Sequence, residues 1–92
     1  MLPQIVFRVH ALQRMFERQI DVFEILEILE TGETIACYDR DRPYPSRLVL
    51  GWSRGRPLHV VAADDPDSDI TIVITVYRPD PDMWTRDFRR RR

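Results

Sequence analysis

His10, Arg14 and Arg18 recur at four-residue intervals in HALQRMFERQI, and a helix carries positions four apart onto one face. An imidazole that exchanges protons near neutral pH would then stand beside two guanidiniums, whose planar forks suit a phosphate or a carboxylate. Two strand-like stretches offer further groups. In PLHVVAA, His59 shares a face with Val61 and Ala63, and in DITIVITVY, Tyr77 shares a face with Val73 and Thr75. If Val61 pairs with Val73, His59 lies opposite Thr75 with Tyr77 as its diagonal neighbour. Cleavage of RNA by attack of the 2′-hydroxyl needs a base, an acid and fixed positive charge at the developing phosphorane. His10 and His59 could supply the first two, Tyr77 is an alternative acid, and Arg14, Arg18 and Arg78 could supply the charge. The scheme needs no metal and no other cofactor.

Each group also has a purely structural use. A histidine at a helix start can cap it, and one among apolar strand neighbours is often a hydrogen-bonded core residue. Arg14 and Arg18 can pair at the surface with Glu17, Asp21 or the acids that follow. Tyr77, Trp52 and Trp84 can serve packing alone.

Composition narrows the choices. With 92 residues the chain is expected to be one domain. Cys37 is the single cysteine, so no internal disulfide forms, and two distant histidines without cysteine make a poor zinc site. The three glycines, Gly32, Gly51 and Gly55, fall at turns or strand interruptions and build no phosphate loop. No GxSxG element exists and Cys37 has no base beside it in sequence, which sets serine and cysteine hydrolysis aside. No run approaches a membrane span of roughly 20 apolar residues, and MLPQIVFRVH lacks a long apolar leader; a soluble, cytoplasmic protein is expected. The net charge is −1, yet all 14 basic residues are arginine. They concentrate at Arg40 to Arg56 and Arg86 to Arg92, while acids dominate Glu17 to Glu33 and Asp64 to Asp69.

Periodicity supplies the elements that would position these groups. Gln4 to Val9 alternates as a strand, and HALQRMFER fits a short helix with Ala11 and Met15 facing a core. Asp21 and Glu24 form a capping box before Val22, Ile25, Leu26 and Leu29, and Gly32 ends that second helix. ETIACYD, RLVLGWS, PLHVVAA and DITIVITVY then alternate with period two, joined by turns at DRDRPYP, SRGR and DDPDSD. Hairpin-length connections make them an antiparallel four-stranded meander. The fold class is α+β: a strand, a helical hairpin, the meander, and a short C-terminal helical turn anchored by Met83, Trp84 and Phe88. Residues 1–88 constitute the domain, and 89–92 are expected to be a disordered arginine tail.

HALQRMFERQI, YPSRLVLGW, GRPLHVV and ITVYRPDPDMW together resemble a small uncharacterised bacterial family of the RelE/BrnT-like toxin superfamily, over almost the whole chain. The resemblance implies a toxin of a type II toxin–antitoxin system, a metal-independent endoribonuclease in which a helical hairpin on a small sheet holds RNA. It implies as partner a cognate antitoxin of zinc-ribbon or helix-turn-helix type, and carries His10, Arg14, Arg18, His59 and Tyr77 over as site residues. Many toxins of that group are strongly basic and use lysine in the active site, whereas this chain is slightly acidic and has none. A non-catalytic module of the same fold, docking protein or nucleic acid, is the alternative, and an exposed sheet edge would allow a homodimer.

Overall fold

A computed structural model describes residues 3–92. The elements are β1 (Gln4–Phe7), α1 (Val9–Arg18), α2 (Val22–Thr31), β2 (Glu33–Tyr38), β3 (Ser46–Ser53), β4 (Arg56–Asp65) and β5 (Ile70–Tyr77). The second helix starts where Asp21 takes extended backbone and accepts the Glu24 N–H at 3.0 Å, while the Glu24 carboxylate accepts the Asp21 N–H at 2.9 Å. No side chain caps α1. It is held instead by burying Ala11 and Met15, and Gln19 in the left-handed region turns the chain back so that the Ile20 N–H reaches the Met15 carbonyl at 2.9 Å.

Strands β2, β3, β4 and β5 form the expected antiparallel meander, but the sheet does not end there. In the order β1-β5-β4-β3-β2, the first strand lies parallel to the last and makes a five-stranded mixed sheet. The strictly antiparallel expectation is corrected on this point: β1 satisfies its backbone only beside β5, with Gln4 N–H to the Asp69 carbonyl at 2.8 Å and Arg8 N–H to the Val73 carbonyl at 3.0 Å. The β3–β4 hairpin closes on Arg54 and Gly55 at φ 55 and 74, positive angles that a two-residue hairpin turn requires and that Gly55 meets without strain.

One face of the sheet carries the helices. Ala11, Met15, Ile20, Ile25 and Ile28 pack on Val49, Leu58, Val60, Val73 and Val76. Helix α2 lies so close over β3 that a Cβ on Gly51 would run into the Ile28 side chain, which is why that strand carries a glycine in its middle. The other face takes the alternate residues: Leu48, Leu50 and His59, all buried, with Leu50 and His59 directly paired across β3 and β4.

The C-terminal segment covers part of that second face. The expected helical turn is absent; residues 79–92 fold as turns with an isolated bridge between Trp84 and Arg91. The terminal arginines, expected as a free tail, are tied back: Arg92 N–H donates to the Met83 carbonyl at 2.9 Å and Thr85 N–H to the Arg90 carbonyl at 2.8 Å. Two prolines block helix there, and short backbone pairings take its place. This segment is called the strap below.

Candidate functional site

The register decides the surroundings of His59. A bulge between Val61 and Ala62 shifts the β4–β5 pairing, so that His59 lies directly opposite Tyr77 and Val61 opposite Thr75. The expected diagonal placement of Tyr77 is thereby corrected, and Thr75 is displaced from the pair, because alternation alone cannot foresee an extra residue in one strand. His59 is fully buried. Its Nε2–H donates to the Phe88 carbonyl at 2.9 Å, since a carbonyl can only accept, and Nδ1 therefore accepts the Tyr77 O–H at 3.2 Å. Trp84 closes edge-to-face on the ring at 4.5 Å and Tyr77 at 5.2 Å. Burial holds the imidazole below its ordinary value of 6.5, a depression that the Phe88 bond only partly offsets. Burial likewise pushes the Tyr77 phenol up.

His10, Arg14 and Arg18 do not join them. Helix α1 packs against the opposite face of the sheet, where Ala11 and Met15 meet the core formed by Leu58 and Val60. His59 alternates with those two residues and so points to the other side. His10 and Arg18 are exposed, and Arg14 stands 3.5 Å from Glu17 as a surface ion pair. The expected common groove of His10, Arg14, Arg18, His59 and Tyr77 is therefore corrected: the sheet itself separates the two sets, and the strap seals the second.

Arg78 is committed elsewhere. Its Nη2 lies 3.6 Å from Glu24 Oε1 and its Nη1 donates to the Pro57 carbonyl at 3.3 Å. Glu24 is buried and also accepts the Ser53 hydroxyl at 2.7 Å. Burial alone would raise the Glu24 carboxyl, but the Ser53 hydroxyl, the Asp21 N–H and the charges of Arg54 and Arg78 outweigh it and hold the group below its ordinary range. Arg78 thus neutralises a buried carboxylate and is corrected as a phosphate ligand. The capping box had marked Glu24 as a helix starter; nothing in the sequence marked the pairing with Ser53, 29 residues away.

A second polar group sits at the other end of the sheet. Arg47 Nε is 3.0 Å from Asp64 Oδ2, and the Thr71 hydroxyl donates to Asp64 Oδ1 at 2.7 Å. Burial raises the Asp64 carboxyl, and the Arg47 and Thr71 bonds overcome that and bring it below its ordinary value. Arg47 and Thr71 line a largely apolar concavity of about 380 Å³ with Ile5, Phe7, Leu26 and Leu29.

The helical hairpin shows the largest concentration of exposed apolar side chains among the described residues. Val9 is 70% exposed, Leu12 47%, Phe16 88% and Phe23 78%. The first three follow one another at helical spacing and line a single surface concavity. Among the described residues no group of three or more histidine, cysteine, aspartate or glutamate side chains is placed to hold a metal ion, and no helix is long and apolar enough to cross a membrane.

Residues 7–78 match a family described as Domain of unknown function (DUF4258). No curated protein and no solved structure matches the chain.

Proposed function

We propose, from the premise that the chain belongs to this DUF4258 domain family, that it is a protein-docking module that offers its helical hairpin to a partner and does not cut RNA. The exposed row Val9, Leu12 and Phe16 carries the reading. A helix that buries Ala11 and Met15 on one side has no intramolecular use for three more apolar residues in solvent, and a soluble protein keeps such a patch where another surface covers it. The antitoxin implied by the resemblance would be one occupant.

Ribonuclease chemistry is the second reading, and what speaks for it is the resemblance together with the His59–Tyr77 hydrogen bond. The same geometry weighs against it. An acid and a base that act on one phosphate must both reach it, whereas His10 opens to solvent on the helix side and His59 lies under the strap. Purified chain incubated with RNA should leave it intact. Cleavage by the natural protein that is lost in His10→Ala or His59→Ala would restore the nuclease reading and remove the present one.

Docking is tested inside cells by placing a photo-crosslinking amino acid at position 16 or, as control, at position 90 on the strap. Position 16 should yield one adduct of defined mass, identified by mass spectrometry, and position 90 none. Absence of any protein adduct from position 16 overturns the docking reading.

A further inference from the structure

Resting on the docking reading, we infer that the partner of the hairpin is a second copy of this chain, packed two-fold so that α1 of each copy lies against α2 of the other. The charges on the hairpin point to this arrangement. Beside its apolar row, α1 and the residue before it carry Arg8, His10, Arg14 and Arg18 against one acid, Glu17. Helix α2 carries no basic residue at all, and Asp21, Glu27 and Glu30 stand exposed along it. The apolar residues divide in the same way: Leu12 and Phe16 from α1, Phe23 from α2, with Phe16 and Phe23 each within one helical turn of the connection between the helices.

A two-fold interface uses one patch twice, so whatever residue of the first copy meets a residue of the second, the reverse contact also forms. Setting α1 on α1 and α2 on α2 would place arginines against arginines and carboxylates against carboxylates. Crossing them, α1 on the partner's α2, sets each basic row against an acidic one and brings Phe16 of one copy toward Phe23 of the other at both ends. The hairpin is thus its own complement in charge and in apolar content, which a foreign partner would have to match independently.

Sedimentation of the purified chain over a range of concentrations should show a particle of twice the 11.0 kDa chain mass. Phe16→Glu should weaken the association at least about tenfold, since it sets a carboxylate into the apolar contact beside an acidic helix. Two charge-reversed chains give the sharper result. Arg14→Glu with Arg18→Glu makes both helices acidic, and Glu27→Arg with Glu30→Arg makes both basic. Each should be folded by circular dichroism and monomeric alone, because only exposed or surface-paired side chains change, and an equimolar mixture should form a heterodimer.

A natural chain that stays monomeric at about 100 μM overturns the inference, as does a mixture of the two reversed chains that fails to associate. If the chain is monomeric while position 16 still crosslinks in cells to a different, identified protein, the second-copy inference falls and the docking reading stands. If position 16 crosslinks to nothing, both fall.

Discussion

His59 has both ring nitrogens engaged, one giving a proton to Phe88 and the other receiving one from Tyr77, so protonation would force the Tyr77 hydroxyl off Nδ1 inside an apolar enclosure. The folded protein accordingly holds this imidazole neutral below its ordinary value of 6.5. In the unfolded chain the ring titrates near that value, so across the interval from 6.5 down to the depressed folded value the unfolded state binds more protons, and stability rises with pH there. Acidification from pH 7 to pH 5 should lower the melting temperature, and His59→Gln should flatten that slope at the expense of a lower starting stability. Glu24 and Asp64 are also depressed, but their losses fall below their ordinary values of 4.5 and 3.8, which keeps the two windows apart. An unchanged slope in His59→Gln would assign the effect to another group. That His59 is a hydrogen-bonded core residue was one of two readings open in PLHVVAA; its alternation with Leu58 and Val60 was visible, whereas the side of the sheet on which α1 packs was not.

At the scale of elements, the second helix is the part most directly written in the sequence. Asp21 and Glu24 stand three apart because each satisfies the other's free N–H. Asp21→Ala should lower stability by about 1 kcal/mol, and Asp21→Asn by a smaller amount because the amide oxygen still accepts the Glu24 N–H. Urea midpoints at fixed pH measure both, and equal losses in the two variants would show that the ion pair with Arg54, at 3.4 Å, matters more than the cap. The strands were equally legible from period-two alternation, and so was the hairpin at Arg54 and Gly55. Two features of the sheet were not. The bulge between Val61 and Ala62 leaves no mark on the alternation, and the parallel seat of β1 depends on which edge is free once the meander has formed.

For the molecule as a whole, the strap converts one sheet face from a surface into an interior. Trp84 is buried, packs on His59 at 4.5 Å and carries Arg91 over its own ring at 5.4 Å, while Phe88 meets Trp52 edge-to-face at 5.8 Å and Arg89 reaches Glu33 at 2.8 Å. Trp84→Ala should cost about 3 kcal/mol, as removal of a buried tryptophan ordinarily does. It should also open His59 to diethyl pyrocarbonate under conditions where circular dichroism shows the sheet intact. His59 that remains unreactive in that variant would mean that the rest of the strap, and not the indole, keeps solvent out. The same layering explains the separation of the candidate groups: helices occupy one face, the strap the other, and five hydrogen-bonded strands lie between.

Local order in this chain follows from rules that act over a few residues, and these are present in the letters themselves: apolar spacing of 3.6 or 2, a capping box, a glycine where a turn needs positive φ. They determined two helices, five strands and their sequence, and the α+β class. Which residues share a cavity is decided by contacts between segments far apart in the chain, such as Glu24 with Ser53 and Arg78, or His59 with Phe88. Those contacts depend on which face each helix takes and on where the last residues return, and only tertiary packing settles that. It left His10, Arg14 and Arg18 on the helix side in or near solvent, and enclosed His59 and Tyr77 on the other.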